Sequence, residues 1–158
     1  MSQLQISESA EVNAPAHRVY ALLADYRHGH PQILPPETFL GIELEAGGTG
    51  AGTRFRLRSR VLGVERTLRM TVAEPEPGRV LSEADVASDL FTTFTVDPLS
   101  GGERSRVSLN TRWTPQRGLP GLIERFVVRG VLPKVYVREL ALLADVFNPE
   151  HGSPASHH

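Results

Sequence analysis

Apolar and polar residues alternate with a period of two along much of the chain, most regularly between Gly52 and Ala73. There Thr53, Phe55, Leu57, Ser59 and Val61 alternate with Arg54, Arg56, Arg58 and Arg60, the pattern of a strand with one apolar and one cationic face. With Leu62-Gly63 as a two-residue turn, Val61 pairs with Val64, Ser59 with Arg66, Leu57 with Leu68, Phe55 with Met70 and Thr53 with Val72. The apolar faces of the two strands then coincide, and a slip of one residue would turn every arginine into the core. Weaker forms of the same alternation predict strands over about 5–12, 39–45, 79–85 and 90–96, and a last one over Ser105 to Trp113 with Val107, Leu109, Thr111 and Trp113 facing inward.

Helical spacing enters at two places. Asn13-Ala14-Pro15 supplies a cap and a first-turn proline for a short helix with Val19, Leu22 and Leu23 on one face, ending near Asp25. Pro31, Pro35 and Pro36 restrict the segment after it to a loop with one short turn. After Pro115 to Gly118 the spacing is helical through Phe147, and about 27 residues at 1.5 Å each make a rod of roughly 40 Å. Leu122, Phe126, Gly130, Pro133, Val137, Leu140 and Ala144 recur at three and four, so this face is expected to meet the sheet. Pro133 is expected to bend the rod beside Gly130, leaving room between Phe126 and the strands. Val127, Val131, Val135 and Leu142 fall on the opposite face and suit a homodimer contact. The sum is an α+β domain over residues 1–147: seven antiparallel strands curved around a long C-terminal helix, with one or two short helices between strands 1 and 2. Residues 148–158 are expected to be a disordered tail in which His157 and His158 resemble tag remnants.

Composition narrows the classes of function. With 17 basic and 18 acidic residues the net charge is −1, so no overall field recruits nucleic acid or an anionic membrane. The absence of cysteine removes thiol nucleophiles, thiolate metal sites and disulfide scaffolds. The start of the chain lacks the apolar core of a signal peptide, and nothing approaches the roughly 20 apolar residues of a membrane span. A cytoplasmic protein that does not insert into membranes is the expectation.

The candidate chemistry is sparse. Gly47 to Gly52 lacks the lysine and following helix of a phosphate loop and reads as a glycine-rich hairpin. The arginine row has no interleaved aromatics and reads as a solvated face. The strand register sets Arg66 inward opposite Ser59, where a guanidinium suits a carboxylate or a polarised carbonyl. Glu83 becomes its partner if Leu81 faces inward, but Val80, Ser82 and Ala84 form an equally good inward set. Arg129 falls near the edge of the inward helix face. Asp25, Tyr26, His28 and His30 suggest an acid–base group or half a metal site, but no third ligand or HExxH helix accompanies them. They are read as a surface loop bordering a pocket, with no metal and no cofactor expected. Ser59, Thr92 and Thr111 offer hydroxyls without the His–Asp company of a nucleophilic triad. Phe55, Leu57, Leu68, Met70, Phe94, Leu109, Trp113 and Phe126 form the apolar walls with Arg66 as the polar anchor, Tyr26 and Arg129 at the mouth, and Pro133 at the bend that makes room for the ligand.

Several of these segments together carry a family resemblance. Val12-Asn13-Ala14-Pro15 with Val19 and Leu22-Leu23-Ala24-Asp25, Gly50-Ala51-Gly52-Thr53, Val72-Ala73-Glu74-Pro75-Glu76-Pro77-Gly78-Arg79, Thr92-Thr93-Phe94-Thr95-Val96 and Thr111-Arg112-Trp113 resemble the polyketide cyclase/dehydrase and lipid-transport branch of the START-like (SRPBCC) superfamily. Tyr20 and Tyr26 stand where many members carry tryptophan. The resemblance implies a helix-grip fold and a pocket for a lipid, sterol, hormone or polyketide between sheet and helix. Binding of a small hydrophobic ligand is the leading implication, and a polyketide cyclase or dehydrase acting on that ligand is the alternative.

Overall fold

The computed structural model describes residues 3–148, so the expected tail lies outside the described residues apart from Asn148. Seven strands form one antiparallel sheet: β1 (Leu4–Val12), β2 (Phe39–Ala46), β3 (Arg54–Val61), β4 (Val64–Glu76), β5 (Val80–Asp85), β6 (Phe91–Pro98) and β7 (Ser105–Trp113). Their spatial order is β1-β7-β6-β5-β4-β3-β2, so the first strand closes onto the last. Helix α1 (Ala16–Ala24) and a 3₁₀ turn (His30–Ile33) join β1 to β2, and helices α2 (Leu119–Gly130) and α3 (Leu132–Val146) follow β7. This is the helix-grip architecture, and α1, the 3₁₀ turn and α3 cover the concave face of the sheet.

The β3–β4 hairpin has the expected register from Val61↔Val64 through Phe55↔Met70, and Thr53 and Val72 continue it through the Val72 N–H to the Thr53 carbonyl. Leu62 and Gly63 both have positive φ, 52° and 79°, the backbone that a two-residue turn matching the strand twist demands. On the outer face Arg56 is bonded to Glu43 and approaches Glu45, while Arg58 and Arg60 share Glu65. The arginine row is thus largely neutralised by glutamates on its own surface.

Two helical details differ from expectation. Pro15 rather than Asn13 occupies the cap of α1, and no side chain bonds there. The C-terminal rod is two helices that meet at Val131, because Pro133 sits in the first turn of α3 and has no amide to continue the α2 ladder. The interruption also resets the helical phase. Val135, Glu139, Leu140 and Leu143 are the buried residues of α3, while Val137 is 54% exposed and Leu122, on α2, 63% exposed. Val135, assigned to an outer dimer face, packs inward instead. Among the described residues no helix is long and apolar enough to cross a membrane.

Candidate functional site

The site begins with three cross-strand neighbours. Glu83 on β5 is paired with Thr92 on β6, and Thr92 with Thr111 on β7, so three polar side chains stand in one row on the concave face. All three are buried, in a sheet face otherwise built from Phe55, Met70, Val72, Leu81, Phe94 and Leu109. Leu81 and Glu83 both point inward, which resolves the two alternatives open for β5. The Thr92 and Thr111 hydroxyls lie 2.8 Å apart, and Thr111 Oγ1 is 2.6 Å from the Tyr136 hydroxyl on α3.

The segment after α1 closes one end of this row. Asp25 Oδ1 accepts from the backbone N–H groups of Arg27 and His28, an Asx turn that reverses the chain, while the Tyr26 N–H donates to Gly48. Gly29 lies so close to α1 that an added Cβ would stand 2.3 Å from the Leu22 carbonyl oxygen, so only glycine lets the turn tuck under the helix. Tyr26 and His30 are consequently driven into the interior, 1% and 2% exposed. This corrects their reading as part of a surface loop, which fits His28 but not Tyr26 or His30.

The Tyr26 hydroxyl donates to Glu83 Oε2 at 2.6 Å, and His30 Nε2 lies 3.5 Å from the same oxygen. His30 Nδ1–H donates to the Leu23 carbonyl at 2.8 Å, which fixes the tautomer and aims Nε2 at Glu83. The Tyr26 ring stacks on His30 and Phe55, with centroids 4.5 and 5.0 Å away, and Phe94 meets His30 edge-on at 5.3 Å. Burial, reinforced by the Glu83 carboxylate, holds the Tyr26 phenol well above its usual range, so it acts as a donor. Burial likewise raises Tyr136 and, with the Glu83 charge as second cause, pushes the Glu139 carboxyl well above its usual range. Among the described residues no group of three or more histidine or acidic side chains is arranged to hold a metal ion.

A family model described as polyketide cyclase/dehydrase and lipid transport matches residues 3–148, which span every element above. The chain belongs to that family. A granaticin polyketide synthase bifunctional cyclase/dehydratase from Streptomyces virginiae is 34% identical over 116 residues, covering 69% of the chain and 36% of that protein. The chain thus spans about a third of the length of that relative. The KanY protein superposes with a TM-score of 0.77 at 29% identity, over 91% of this chain and 97% of that one. The Zhui aromatase/cyclase from Streptomyces sp. R1128 superposes with a TM-score of 0.78, over 99% of each chain, and at 20% identity shares the fold.

Within this member of the polyketide cyclase/dehydrase and lipid-transport family, the residues singled out from sequence divide into three groups. Tyr26, Phe55, Met70, Thr92, Phe94 and Leu109 are buried around the polar row. Leu57, Ser59 and Leu68 are half-buried toward the hairpin, and Pro133 is half-buried at the start of α3. Trp113 is half-buried at the end of β7, where its indole N–H donates to Glu124 Oε2 at 3.1 Å and ties β7 to α2. Arg66 and Arg129 are exposed, Arg66 because the hairpin extends past the cover of the helices, and neither joins the buried cluster. The Phe126 side chain lies outside the described residues.

Tyr136 and Glu139 were not singled out from the sequence, and His30, Glu83 and Thr111 were weighed without being assigned to a site. The signal for the helix pair was a proline in a first turn: counting the phase afresh from Leu132 puts Tyr136, Glu139, Leu140 and Leu143 on one face at three and four.

Proposed function

We propose that the chain binds a small, largely apolar molecule between the concave face of β5, β6 and β7 and helix α3, with the molecule's polar end on the row Glu83, Thr92, Thr111 and Tyr136. The observation that carries this reading is a row of hydrogen-bonding side chains sealed inside an apolar interior. An interior that only had to be stable would replace them with aliphatic residues at little cost. The family match supports the same reading. It is tested by titrating the purified chain with a hydroxyanthraquinone, an apolar ring system carrying carbonyl and phenol oxygens, and following ligand fluorescence. Saturable binding that weakens severalfold in Thr111→Val is expected. Absence of saturable binding in the wild-type chain overturns the proposal.

A second reading, catalysis of ring closure or dehydration on the bound molecule, is favoured by the Tyr26–Glu83–His30 group. Aldol closure needs a base to remove a proton next to one carbonyl, after which the enolate carbon attacks a second carbonyl and the new alkoxide takes up a proton. Glu83 and His30 Nε2 are acceptors for the first step, and the phenol and carboxyl protons of Tyr26 and Glu139 are donors for the last.

A further inference from the structure

The buried interior is acidic in character. Among the described residues the buried ionisable side chains include Glu83 and Glu139, 7% and 4% exposed, together with Tyr26 and His30, and no arginine or lysine is buried with them. Arg66 and Arg129, the cations expected to meet an acidic ligand, face solvent. Glu83 accepts from Tyr26, and Tyr136 is bonded to Thr111. Glu139 differs from both. It stands one turn after Tyr136 on the face of α3 that packs against the sheet; among the described residues no hydrogen bond or ion pair reaches its carboxyl, and because no fully sealed side-chain oxygen there lacks a partner, its oxygens keep a small accessible surface. A carboxyl without a partner in an apolar interior keeps its proton, because ionising it there costs more than the proton is worth. It then offers one O–H donor and an acceptor oxygen, both unused.

We propose that this interior sorts ligands by charge, taking molecules whose polar end is a neutral oxygen group, a ketone, phenol or alcohol, and rejecting carboxylates, with Glu139 as the selecting residue. The inference rests on the reading that the ligand occupies the space between the sheet and α3. A neutral oxygen accepts the Glu139 O–H and lies near the Thr92, Thr111 and Tyr136 hydroxyls. A carboxylate instead gives up its hydration, meets the Glu83 charge, and finds no buried cation in exchange.

Two fluorescent probes with one skeleton test this, anthracene methanol and anthracene carboxylate, each titrated into the full chain at neutral pH. The expected result is tighter binding of the alcohol than of the acid by at least tenfold. Glu139→Leu weakens the alcohol by about five- to tenfold and narrows the preference, while Glu139→Gln, whose amide still donates, stays within about threefold of wild type for the alcohol. The wild-type comparison and the near-isosteric glutamine hold the test open should the leucine variant fold poorly. Equal affinity for the two probes overturns the charge selection and leaves the interior-ligand reading standing, as does equal weakening of both probes in Glu139→Leu. If neither probe binds saturably, the interior-ligand reading itself falls and takes the inference with it.

Discussion

Replacing Tyr26 with phenylalanine isolates one bond at the centre of the site. The ring is held between His30 and Phe55 by stacking that phenylalanine keeps, so the substitution opens little cavity and removes chiefly the hydroxyl. What is lost is a 2.6 Å bond to a carboxylate that is only 7% exposed, leaving Glu83 Oε2 with the 3.5 Å approach of His30. Bonds to charged groups contribute about 1.5 to 3 kcal/mol, and a buried acceptor left without its donor falls within that range. For a chain of this size a loss of about 2 kcal/mol lowers the Tm by roughly 4 to 8 °C. Urea unfolding followed by circular dichroism should show a lower midpoint with an unchanged m value, since the surface exposed on unfolding stays the same. A cycle with Glu83→Leu should then reveal a coupling of at least about 1 kcal/mol between the two positions. A loss below about 0.5 kcal/mol, or strict additivity in the double variant, would refute the claim that this bond organises the interior.

Glu139 sets a pH dependence of its own. Burial keeps its proton in the native state at pH values where the unfolded chain has released it, so its contribution to stability falls as pH rises above the ordinary carboxylate range. Glu139→Gln has no proton to lose and should flatten that fall, so its stability relative to wild type should improve between about pH 4 and about pH 8; a constant difference across that range contradicts the assignment. Gly29→Ala places a Cβ 2.3 Å from the Leu22 carbonyl oxygen and should destabilise the chain by about 2 kcal/mol or more while releasing His30 from Glu83. Thermal unfolding and the histidine resonances in NMR would report both effects, and an unperturbed His30 would mean that the turn tolerates a side chain.

The succession of strands along the chain and the hairpin register were legible because alternation is a local signal: the arginine row of β3 admits one register, and the structure has it. The site was legible only in part. Thr92, Phe94 and Tyr26 could be named from their neighbours in sequence, but Glu83 depends on which face of a six-residue strand turns inward, and Leu81, Ser82 and Glu83 are all buried. His30 was obscured because a histidine in a proline-rich loop usually meets water, and its burial comes from a backbone approach at Gly29 that no periodicity records. Tyr136 and Glu139 were lost when one helical phase was carried through Pro133, where the backbone begins a new helix. Arg66 shows the converse, since its register was right and its exposure was decided by how far the helices reach along the hairpin.

The row Glu83, Thr92 and Thr111 has the properties of a ruler. Because its members are successive rungs of one sheet, their backbones are spaced by the distance between strands, about 4.8 Å, and the pitch is set by the backbone hydrogen-bond ladder rather than by any loop. Exchanging Glu83 and Thr92 would move the carboxyl by one full graduation along the row while the backbone ladder keeps its pitch. The positions available to a polar group along this row are therefore discrete.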